Sequence, residues 1–275
     1  MPTKASFAHG HVVLVTGASS GIGAQIALLF AQQGYTVYGA SRRGTLVEGA
    51  PDNLRPIVMD ATSDESVRAG VDAVIAEQGR LDILIHAAGN GICGPAECST
   101  AADAQHQMDV NYYGALRLIN AAVPYMRERR QGLVLLIGSV GGIFPIPFQT
   151  LYSSSKAALA MLGLGLRMEL KPFGVRTALI EPGDVRTGFT DARKYADTTC
   201  EAYTEACTCA ISRMERDERN GMQPIAVALA AYNAAQRKNP KPRTAVGGVY
   251  RVFVFLKRLL PDRLVETLLY KMYLG

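Results

Sequence analysis

The sequence contains few cysteines and lacks any CxxC pair. The five cysteines, at positions 93, 98, 200, 207 and 209, are odd in number. They indicate neither a disulfide framework nor a zinc site, and we expect no metal. Reduced thiols are typical of a cytoplasmic protein, and we expect that location.

Long hydrophobic runs are also absent. The opening segment, MPTKASFAHGHVVLVTG, has an apolar run of only five residues, too short for a signal peptide or a membrane span. The C-terminal tail, residues 249–275, is strongly apolar, but Arg251, Lys257, Arg258 and Pro261 interrupt it. It therefore cannot form a bilayer-spanning helix. The tail either packs on the core, lines an apolar substrate cleft or lies on a membrane surface with its basic residues outward.

Concentrated positive charge is a third absence. The net charge is +5, but the basic residues are scattered in small groups without interleaved aromatic side chains. Because single-stranded nucleic acid needs such stacking partners, we expect solvated faces and no nucleic-acid partner. The 48% of hydrophobic residues and the length of 275 residues fit one large α/β domain.

Short apolar runs alternate with helical patterns along the chain. The runs are HVVLV, YTVYGA, RPIVMD, LDILIHAAG, LVLLIGS and VRTALIEPG, and the helical patterns cover about 21–33, 64–77, 100–129 and the segment after 150. This rhythm predicts right-handed βαβ crossovers and a Rossmann-type, doubly wound parallel sheet in a single α/β domain, 1–275. Residues 188–220 follow the last of these strands and predict either a substrate lid or an ordinary surface helix pair.

A glycine-rich motif, TGASSGIG, covers positions 16–23. It directly follows the strand HVVLV and opens a helix. Glycines let the backbone approach a pyrophosphate, whose charge is then stabilised by the helix N-terminus. The motif predicts a dinucleotide site, although its spacing is GxxxGxG and not the GxGxxG of many dehydrogenases.

The pentapeptide YSSSK places Tyr152 and Lys156 four residues apart in a helical pattern. Residues at i and i+4 share one helix face, so the phenol and the ammonium would point the same way. A neighbouring ammonium favours the phenolate and makes the tyrosine a better acid or base near neutral pH. Such pairs also occur on ordinary amphipathic helices, so the other motifs have to support this interpretation.

Five further motifs follow in order: Asp60 in MDATSDESV, HAAG at 86–89, Asn111 in DVNYYGALRL, Ser139 after LVLLIG, and EPGDVRTGF at 181–189. With the two motifs above, the chain resembles the classical short-chain dehydrogenase/reductase family over nearly its whole length. The resemblance implies an NAD(P)-dependent oxidoreductase that interconverts an alcohol and its carbonyl compound.

The resemblance also implies the catalytic group. Tyr152 would exchange a proton with the reacting oxygen, and Lys156 would lower the pKa of Tyr152 and hold the nicotinamide ribose. Ser139 would bind and orient the reacting oxygen. Asn111 would keep a water chain to Lys156 in place, or would otherwise cap or kink its helix. The hydride belongs to the cofactor.

Cofactor contacts are implied at four further places. The glycine loop would contribute Gly17, Ser19, Ser20, Gly21, Ile22 and Gly23. Asp60 would accept from the adenine amino group, while Ala87 and Gly89 would leave room for the adenosine ribose. Pro182, Val185 and Thr187 would frame the nicotinamide carboxamide. His86 stands where the family usually has asparagine, and we interpret it as a structural substitute and not a ligand.

The end of the second strand, YGASRRG, lacks a carboxylate. A carboxylate there would bind the ribose 2′-hydroxyl of NAD and repel the 2′-phosphate of NADP. Ser41 and Arg42 can bind that phosphate, with Arg43 and Ser20 in support. NADP(H) is therefore favoured over NAD(H), the alternative being that both arginines face solvent and selectivity is mixed.

The presumed site is flanked by two segments of low charge, AGNGICGPAE at 88–97 and SVGGIFPIPFQTLY at 139–152. They predict a hydrophobic small-molecule substrate. Similarity to family members that act on steroids, retinoids and acyl lipids implies a hydroxysteroid or related lipid.

Two alternatives to this function stay open. One is a 3-oxoacyl thioester reductase, which would need Arg127, Arg129 and Arg130 at the cleft mouth. The other is a non-catalytic NADP(H)-binding regulatory protein. The resemblance further implies a homo-oligomer in which the outer face of the Tyr152 helix contributes to a dimer.

Overall fold

The computed structural model describes residues 8–196 and 200–275. Residues 1–7 of the opening segment and residues 197–199 of the predicted lid lie outside this range. Within it, seven parallel strands form one sheet in the order β3-β2-β1-β4-β6-β7-β9. These strands are β1 Val12–Thr16, β2 Thr36–Ser41, β3 Leu54–Val58, β4 Ile83–His86, β6 Gly132–Ile137, β7 Val175–Pro182 and β9 Arg243–Val246. Two short strands, β5 Ile92–Cys93 and β8 Lys194–Tyr195, pair separately.

Helices cover both faces of the sheet. They are α1 Gly21–Gln32, α2 Asp64–Gln78, α3 Ala101–Met108, α4 Gly114–Glu128, α5 Thr150–Glu169, α6 Thr204–Arg219, α7 Pro224–Ala235, α8 Gly248–Lys257 and α9 Asp262–Leu274. Helices α1 and α7 pack on one face, while α2, α4 and α5 pack on the other. The doubly wound parallel sheet predicted from the sequence is therefore confirmed.

The strands read as continuous apolar runs because both of their faces are buried. In β1, Val13 and Val15 contact the α1 side, whereas Val12 and Leu14 contact the α2 side, and all four are 0% exposed. Burying apolar surface on two faces is what a parallel sheet covered by helices requires.

The long helical region predicted over about 100–129 is not one regular helix. A π-helical turn, Asp109–Tyr113, separates α3 from α4. Helix α3 begins after its N-cap residue, Thr100, which forms a capping box with Asp103. The π-turn turns Asn111 into the interior, where its side chain is fully buried. The extra residue of such a turn changes which side chains face the core, which is why π-turns are frequent at functional sites.

The C-terminal tail forms α8 and α9 and leaves many large apolar side chains exposed. Arg213 of α6 donates to the carbonyl oxygens of Met272 and Gly275 and fixes the end of α9. The exposed side chains on these helices and their connection are Val249, Val252, Phe253, Phe255, Leu256, Leu259, Leu264, Leu268, Tyr270 and Met272. Among the described residues, no helix combines the length and hydropathy needed to cross a bilayer.

Candidate active site

The predicted site residues meet at the carboxyl edge of the sheet. The strand order reverses between β1 and β4, so the loops after these two strands diverge and leave a crevice. The glycine loop follows β1, Ala87 and Gly89 follow β4, and Ser139 follows β6. The EPGDVRTGF segment ends β7 at the same edge. A dinucleotide would lie in this crevice.

The glycine loop leaves no room for side chains at its closest approaches. Gly17 has φ +70°, and a Cβ atom there would lie 2.9 Å from the Ala88 nitrogen. A Cβ atom on Gly23 would lie 2.7 Å from the Gly17 carbonyl carbon. Gly21 has φ +56° and faces Thr187, to which a Cβ atom would measure 3.5 Å. The loop therefore folds tightly on itself, as a pyrophosphate cradle requires, and Ile22 packs beneath it.

A basic cavity lies beside the glycine loop. Its volume is about 420 Å³, and it is lined by Ser19, Ser41, Arg42 and Arg43. The structure thus brings Ser19 to this cavity, whereas Ser20 precedes α1 at its N-cap position. Because two guanidinium groups and two hydroxyls surround the cavity, its chemistry suits a phosphate monoester.

Asp60 lies after β3, at the predicted adenine position. Its Oδ1 atom accepts from the Thr62 backbone N–H at 2.9 Å and from the Thr62 hydroxyl at 2.8 Å. These hydrogen bonds lower the pKa of Asp60 below its usual value. The carboxylate is therefore held ionised and oriented, ready to accept from an amino group.

His86 and Thr16 join the ends of β4 and β1. The Thr16 hydroxyl lies 3.1 Å from His86 Nδ1, and its oxygen accepts from the backbone N–H groups of Ala87 and Ala88. Complete burial, together with the nearby charge of Lys156, lowers the pKa of His86 to about 3. The neutral imidazole thus contacts the strand ends, an arrangement that fits a structural role.

Ser139, Tyr152 and Lys156 converge at the loop after β6. The Ser139 hydroxyl accepts from the Gly141 N–H at 3.0 Å and is hydrogen-bonded to the Tyr152 phenol. A Cβ atom built on Gly141 would lie 3.3 Å from Ser139 Oγ and 3.4 Å from Tyr152 Cε1. The hydroxyl and the phenol therefore face the same small volume, where one carbonyl oxygen can contact both.

Lys156 is buried, with its Nζ atom donating to the Ile137 carbonyl oxygen at 3.1 Å. Nζ lies 5.8 Å from the centre of the Tyr152 ring. Burial lowers the pKa of Lys156 to about 8 and raises the pKa of Tyr152 to about 12, the latter partly offset by Ser139. Desolvation of the phenol is the largest effect on the Tyr152 pKa here, and its lowering by Lys156 stays a prediction.

Asn111 reaches the same region from the π-helical turn. Its amide nitrogen donates to the Asn90 carbonyl at 3.1 Å and to the Ser155 hydroxyl at 3.0 Å, and its oxygen accepts from the Asn90 N–H at 3.0 Å. A Cβ atom on Gly89 would lie 3.2 Å from Asn111 Oδ1 and 3.5 Å from Lys156 Nζ. Asn111 and Lys156 therefore approach one another across Gly89, but a water chain between them remains a prediction.

The segment after β7 covers the other side of the crevice. Pro182 ends β7, Val185 is buried, and the Thr187 hydroxyl accepts from the Phe189 N–H at 3.2 Å. The Phe189 ring lies 5.7 Å from the Tyr152 ring. Sequence reasoning missed Phe189, although it belongs to the EPGDVRTGF motif.

Two more residues beside the site were not predicted, Asp184 and Tyr250. The Tyr250 hydroxyl donates to the Asp184 carboxylate, and the Tyr250 ring packs so closely on Gly183 that a Cβ atom there would clash. Tyr250 belongs to α8, 66 residues along the chain from Asp184. No local pattern relates positions this far apart, so only the fold could reveal the pair.

The basic residues Arg127, Arg129 and Arg130 lie away from this edge. Arg127 lies in the last turn of α4. Arg129 and Arg130 lie between α4 and β6, where Arg129 approaches Asp82 just before β4. Arg130 donates to the Pro172 carbonyl just before β7. All three are at the amino ends of the strands, opposite the crevice, so they cannot serve a carrier bound at its mouth.

Glu97, Cys98 and Cys200 form a small cluster that the sequence spacing did not indicate. One ligand atom from each lies within 4.8 Å of the others. The cluster is partly exposed and separate from the catalytic group. We assign no metal to it.

A dinucleotide crevice with Ser, Tyr and Lys at the reacting position defines an NAD(P)-dependent oxidoreductase. The family model for short chain dehydrogenases matches residues 11–197. The chain therefore belongs to the short-chain dehydrogenase family, and it is an alcohol/carbonyl oxidoreductase of that family.

Two curated relatives match this chain at the same identity. The chain is 39% identical over 258 residues to 3-ketodihydrosphingosine reductase of Bacteroides thetaiotaomicron, covering 93% of this chain and 95% of that protein. It is 39% identical over 191 residues to human 17-beta-hydroxysteroid dehydrogenase type 1, covering 65% of this chain and 58% of that protein.

Solved structures share the fold over most of the chain. A short-chain dehydrogenase from Streptomyces avermitilis has a TM-score of 0.83 at 31% identity, covering 95% of this chain and 96% of that one. A serine dehydrogenase with NADP+ has a TM-score of 0.74 at 28% identity, covering 86% and 95%. A Burkholderia phymatum dehydrogenase with NAD has a TM-score of 0.78 at 25% identity, covering 92% and 93%. Similar structures thus bind either nicotinamide cofactor.

Proposed function

We propose that the protein uses NADPH to reduce the ketone of a long-chain lipid, with 3-ketodihydrosphingosine as the first substrate to test. The observation that carries this proposal is the similarity to 3-ketodihydrosphingosine reductase, which extends over 93% of the chain. The Phe189 ring lies beside Tyr152, and Ile146 and Phe148 add apolar surface from the loop before α5, which supports a hydrophobic substrate.

A hydroxysteroid is the second candidate, because the human steroid dehydrogenase matches at the same identity. That match covers only 65% of this chain. It leaves out a larger part of the chain than the match to the sphingolipid enzyme does. We therefore place steroids after long-chain ketones.

The residues of the site suit reduction of a ketone. The cofactor supplies the hydride when bound. The Tyr152 phenol stays protonated near neutral pH because burial raises its pKa to about 12, so it can give a proton to the oxygen. The Ser139 hydroxyl turns toward the same oxygen and stabilises its developing negative charge.

The function is tested by following NADPH oxidation with 3-ketodihydrosphingosine, a 17-ketosteroid and a 3-oxoacyl thioester as separate substrates. We expect turnover of the long-chain ketone to exceed that of the other two. Preferential turnover of the steroid or the thioester would replace the proposal with that alternative. Tight NADPH binding without turnover of any ketone would favour the regulatory alternative.

NADPH is proposed because Arg42 and Arg43 line the basic cavity. We expect Arg42→Ala to raise the KM for NADPH about 10- to 100-fold, since a charged hydrogen bond contributes roughly 1.5–3 kcal/mol. The KM for NADH should change less than threefold. Steady-state kinetics with both cofactors measure this, and Arg68→Ala on α2 is the matched control. Equal effects on both cofactors would contradict phosphate recognition by Arg42.

We propose that the exposed apolar side chains of α8 and α9 contact an anionic membrane surface. Phe255 and Leu259 are 60% and 65% exposed, and Arg251, Lys257 and Arg258 lie on the same segment. Apolar side chains flanked by basic ones suit a bilayer with anionic lipids. This arrangement supports peripheral contact by a protein that otherwise resides in the cytoplasm, where its five free cysteines would stay reduced.

Flotation with phosphatidylglycerol vesicles tests this contact. The double variant Phe255→Glu with Leu259→Glu should lose at least tenfold of the vesicle-bound fraction, whereas Leu229→Glu on α7 should not. Equal flotation of all three proteins would contradict the proposal. Light scattering of the protein without vesicles gives the oligomeric state, for which exposed Met161 and Met168 on α5 support a dimer.

A further inference from the structure

Asp184 is a half-buried carboxylate beside the catalytic group. It lies between Pro182 and Thr187, two of the three residues that would frame the predicted nicotinamide position. Its carboxylate accepts from the Tyr250 hydroxyl, and its backbone oxygen accepts from the Met222 N–H at 3.0 Å. Tyr250 on α8 therefore holds the side chain of Asp184, and Met222, just before α7, holds its backbone.

Asp184 forms no ion pair within 4 Å in the described part of the chain, and Arg193 acts on its carboxylate only from a longer distance. The ion pairs of residues 8–196 and 200–275 involve other carboxylates. Glu218, which lies near the same cleft, is paired with Arg193 and accepts from the Thr190 hydroxyl at 2.7 Å. Glu218 thus engages Arg193 directly, whereas the hydrogen-bond partner of the Asp184 side chain is the neutral phenol of Tyr250.

The negative charge of Asp184 acts on the Tyr152 phenol. Both Glu218 and Asp184 contribute to raising the pKa of Tyr152, after the larger effect of burial. Burial also raises the pKa of Asp184 itself, partly offset by the Tyr250 hydrogen bond. A carboxylate removed from water without a cation is costly, and a ligand cation placed beside it would recover that cost.

We propose that Asp184, held by Tyr250, binds the ammonium group of a 2-amino-3-ketone lipid next to the carbonyl that is reduced. This inference rests on the proposed function and specifies its substrate class. In such a lipid the ammonium is attached to the carbon beside the carbonyl. An ammonium at Asp184 would therefore bring the ketone oxygen toward Tyr152 and Ser139, which share one side of the crevice.

The same arrangement predicts selectivity. A substrate without the amino group would leave Asp184 desolvated and unpaired, which disfavours steroids and simple ketones. The ammonium would also stabilise the negative charge that develops on the neighbouring oxygen during reduction. Asp184 would thus act as a substrate-binding residue, and Tyr250 as a positioning residue that acts through it.

The test compares 3-ketodihydrosphingosine with its des-amino analogue, which has hydrogen in place of the amino group. We expect the wild-type kcat/KM to favour the amino ketone, and Asp184→Asn to lower this preference about 100-fold. Tyr250→Phe should lower it about tenfold, chiefly through KM. Asp72→Asn, which changes an exposed carboxylate on α2 that likewise accepts from a tyrosine hydroxyl, should leave the preference unaltered.

Each outcome distinguishes this inference from the proposed function. An unchanged preference in Asp184→Asn, with NADPH binding and the unfolding midpoint retained, would overturn the inference. If Asp184→Asn does not fold, Tyr250→Phe decides, and an unchanged preference there has the same meaning. Failure of the wild-type protein to reduce either long-chain ketone would instead overturn the proposed function.

Discussion

Replacing Tyr152 with phenylalanine is expected to lower kcat/KM for the ketone about 10³-fold while NADPH binding is retained. General acid catalysis by a positioned group contributes roughly 10²- to 10⁴-fold. Phenylalanine keeps the ring contact with Phe189, whose ring centre lies 5.7 Å away, and removes only the hydroxyl. The fall in kcat/KM therefore reports the loss of the proton donor and not a change in the shape of the cleft.

Stopped-flow and steady-state assays of NADPH oxidation measure this change, and NADPH fluorescence gives the binding constant. Tyr113→Phe is the control, because this tyrosine is 46% exposed and lies on the π-helical turn outside the crevice. A loss of less than tenfold in Tyr152→Phe would show that another group donates the proton.

The central fold was predictable because its signals are local. The apolar runs of β1, β4, β6 and β7 are buried on both faces, so each appears in the sequence as a continuous stretch. Each is followed by a motif at the same edge of the sheet. Parallel connectivity alone then brings the glycine loop, Ser139 and the EPGDVRTGF segment together.

Two elements were missed for physical reasons. The last strand, β9 Arg243–Val246, has only one fully buried residue, and it is joined to β7 by the ion pair between Arg243 and Glu181. Helix α7 has a nearly uniform alanine-rich composition, so it shows little periodicity. Strand β9 depends on its pairing with β7, and α7 depends on its packing against α1, so neither is set by a pattern within its own segment.

The site was predictable where its signals are local and unpredictable where it depends on contacts between distant segments. Lys156 and Tyr152 could be found because helical spacing joins them, but the closeness of Lys156 to its neighbouring loop depends on Gly142. A Cβ atom there would lie 2.8 Å from the Lys156 carbonyl carbon. The glycine pair in SVGGIF was visible in the sequence, yet nothing local indicated which helix it would contact.

Replacing Lys156 with methionine is expected to abolish most activity and yet stabilise the cofactor-free protein at pH 7. Activity should fall about 10³-fold, because the ammonium lies 5.8 Å from the centre of the Tyr152 ring and is the predicted ribose contact. Stability should rise because the charged lysine is buried, which lowers its pKa from 10.5 to about 8. Such a fall corresponds to about 3 kcal/mol in favour of the unfolded chain at pH 7.

The expected net gain is smaller, about 1–2 kcal/mol, since methionine also loses the hydrogen bond to the Ile137 carbonyl. The sign of the pH dependence follows from linkage. Between about pH 8 and pH 10.5 the unfolded chain binds more protons at Lys156 than the folded chain does. The contribution of Lys156 to the free energy of unfolding of the wild-type protein therefore rises with pH. The advantage of Lys156→Met should therefore be greatest below pH 8 and shrink toward pH 10.

Denaturant unfolding of the cofactor-free protein at pH 7 and pH 10 measures this difference. Lys171→Met, at an exposed lysine just beyond α5, should show neither the stabilisation nor the loss of activity. A lower free energy of unfolding for Lys156→Met at pH 7 would mean that the ammonium is satisfied in the folded chain. A gain at pH 7 that disappears at pH 10 would instead show that the buried charge is retained for catalysis at a cost in stability.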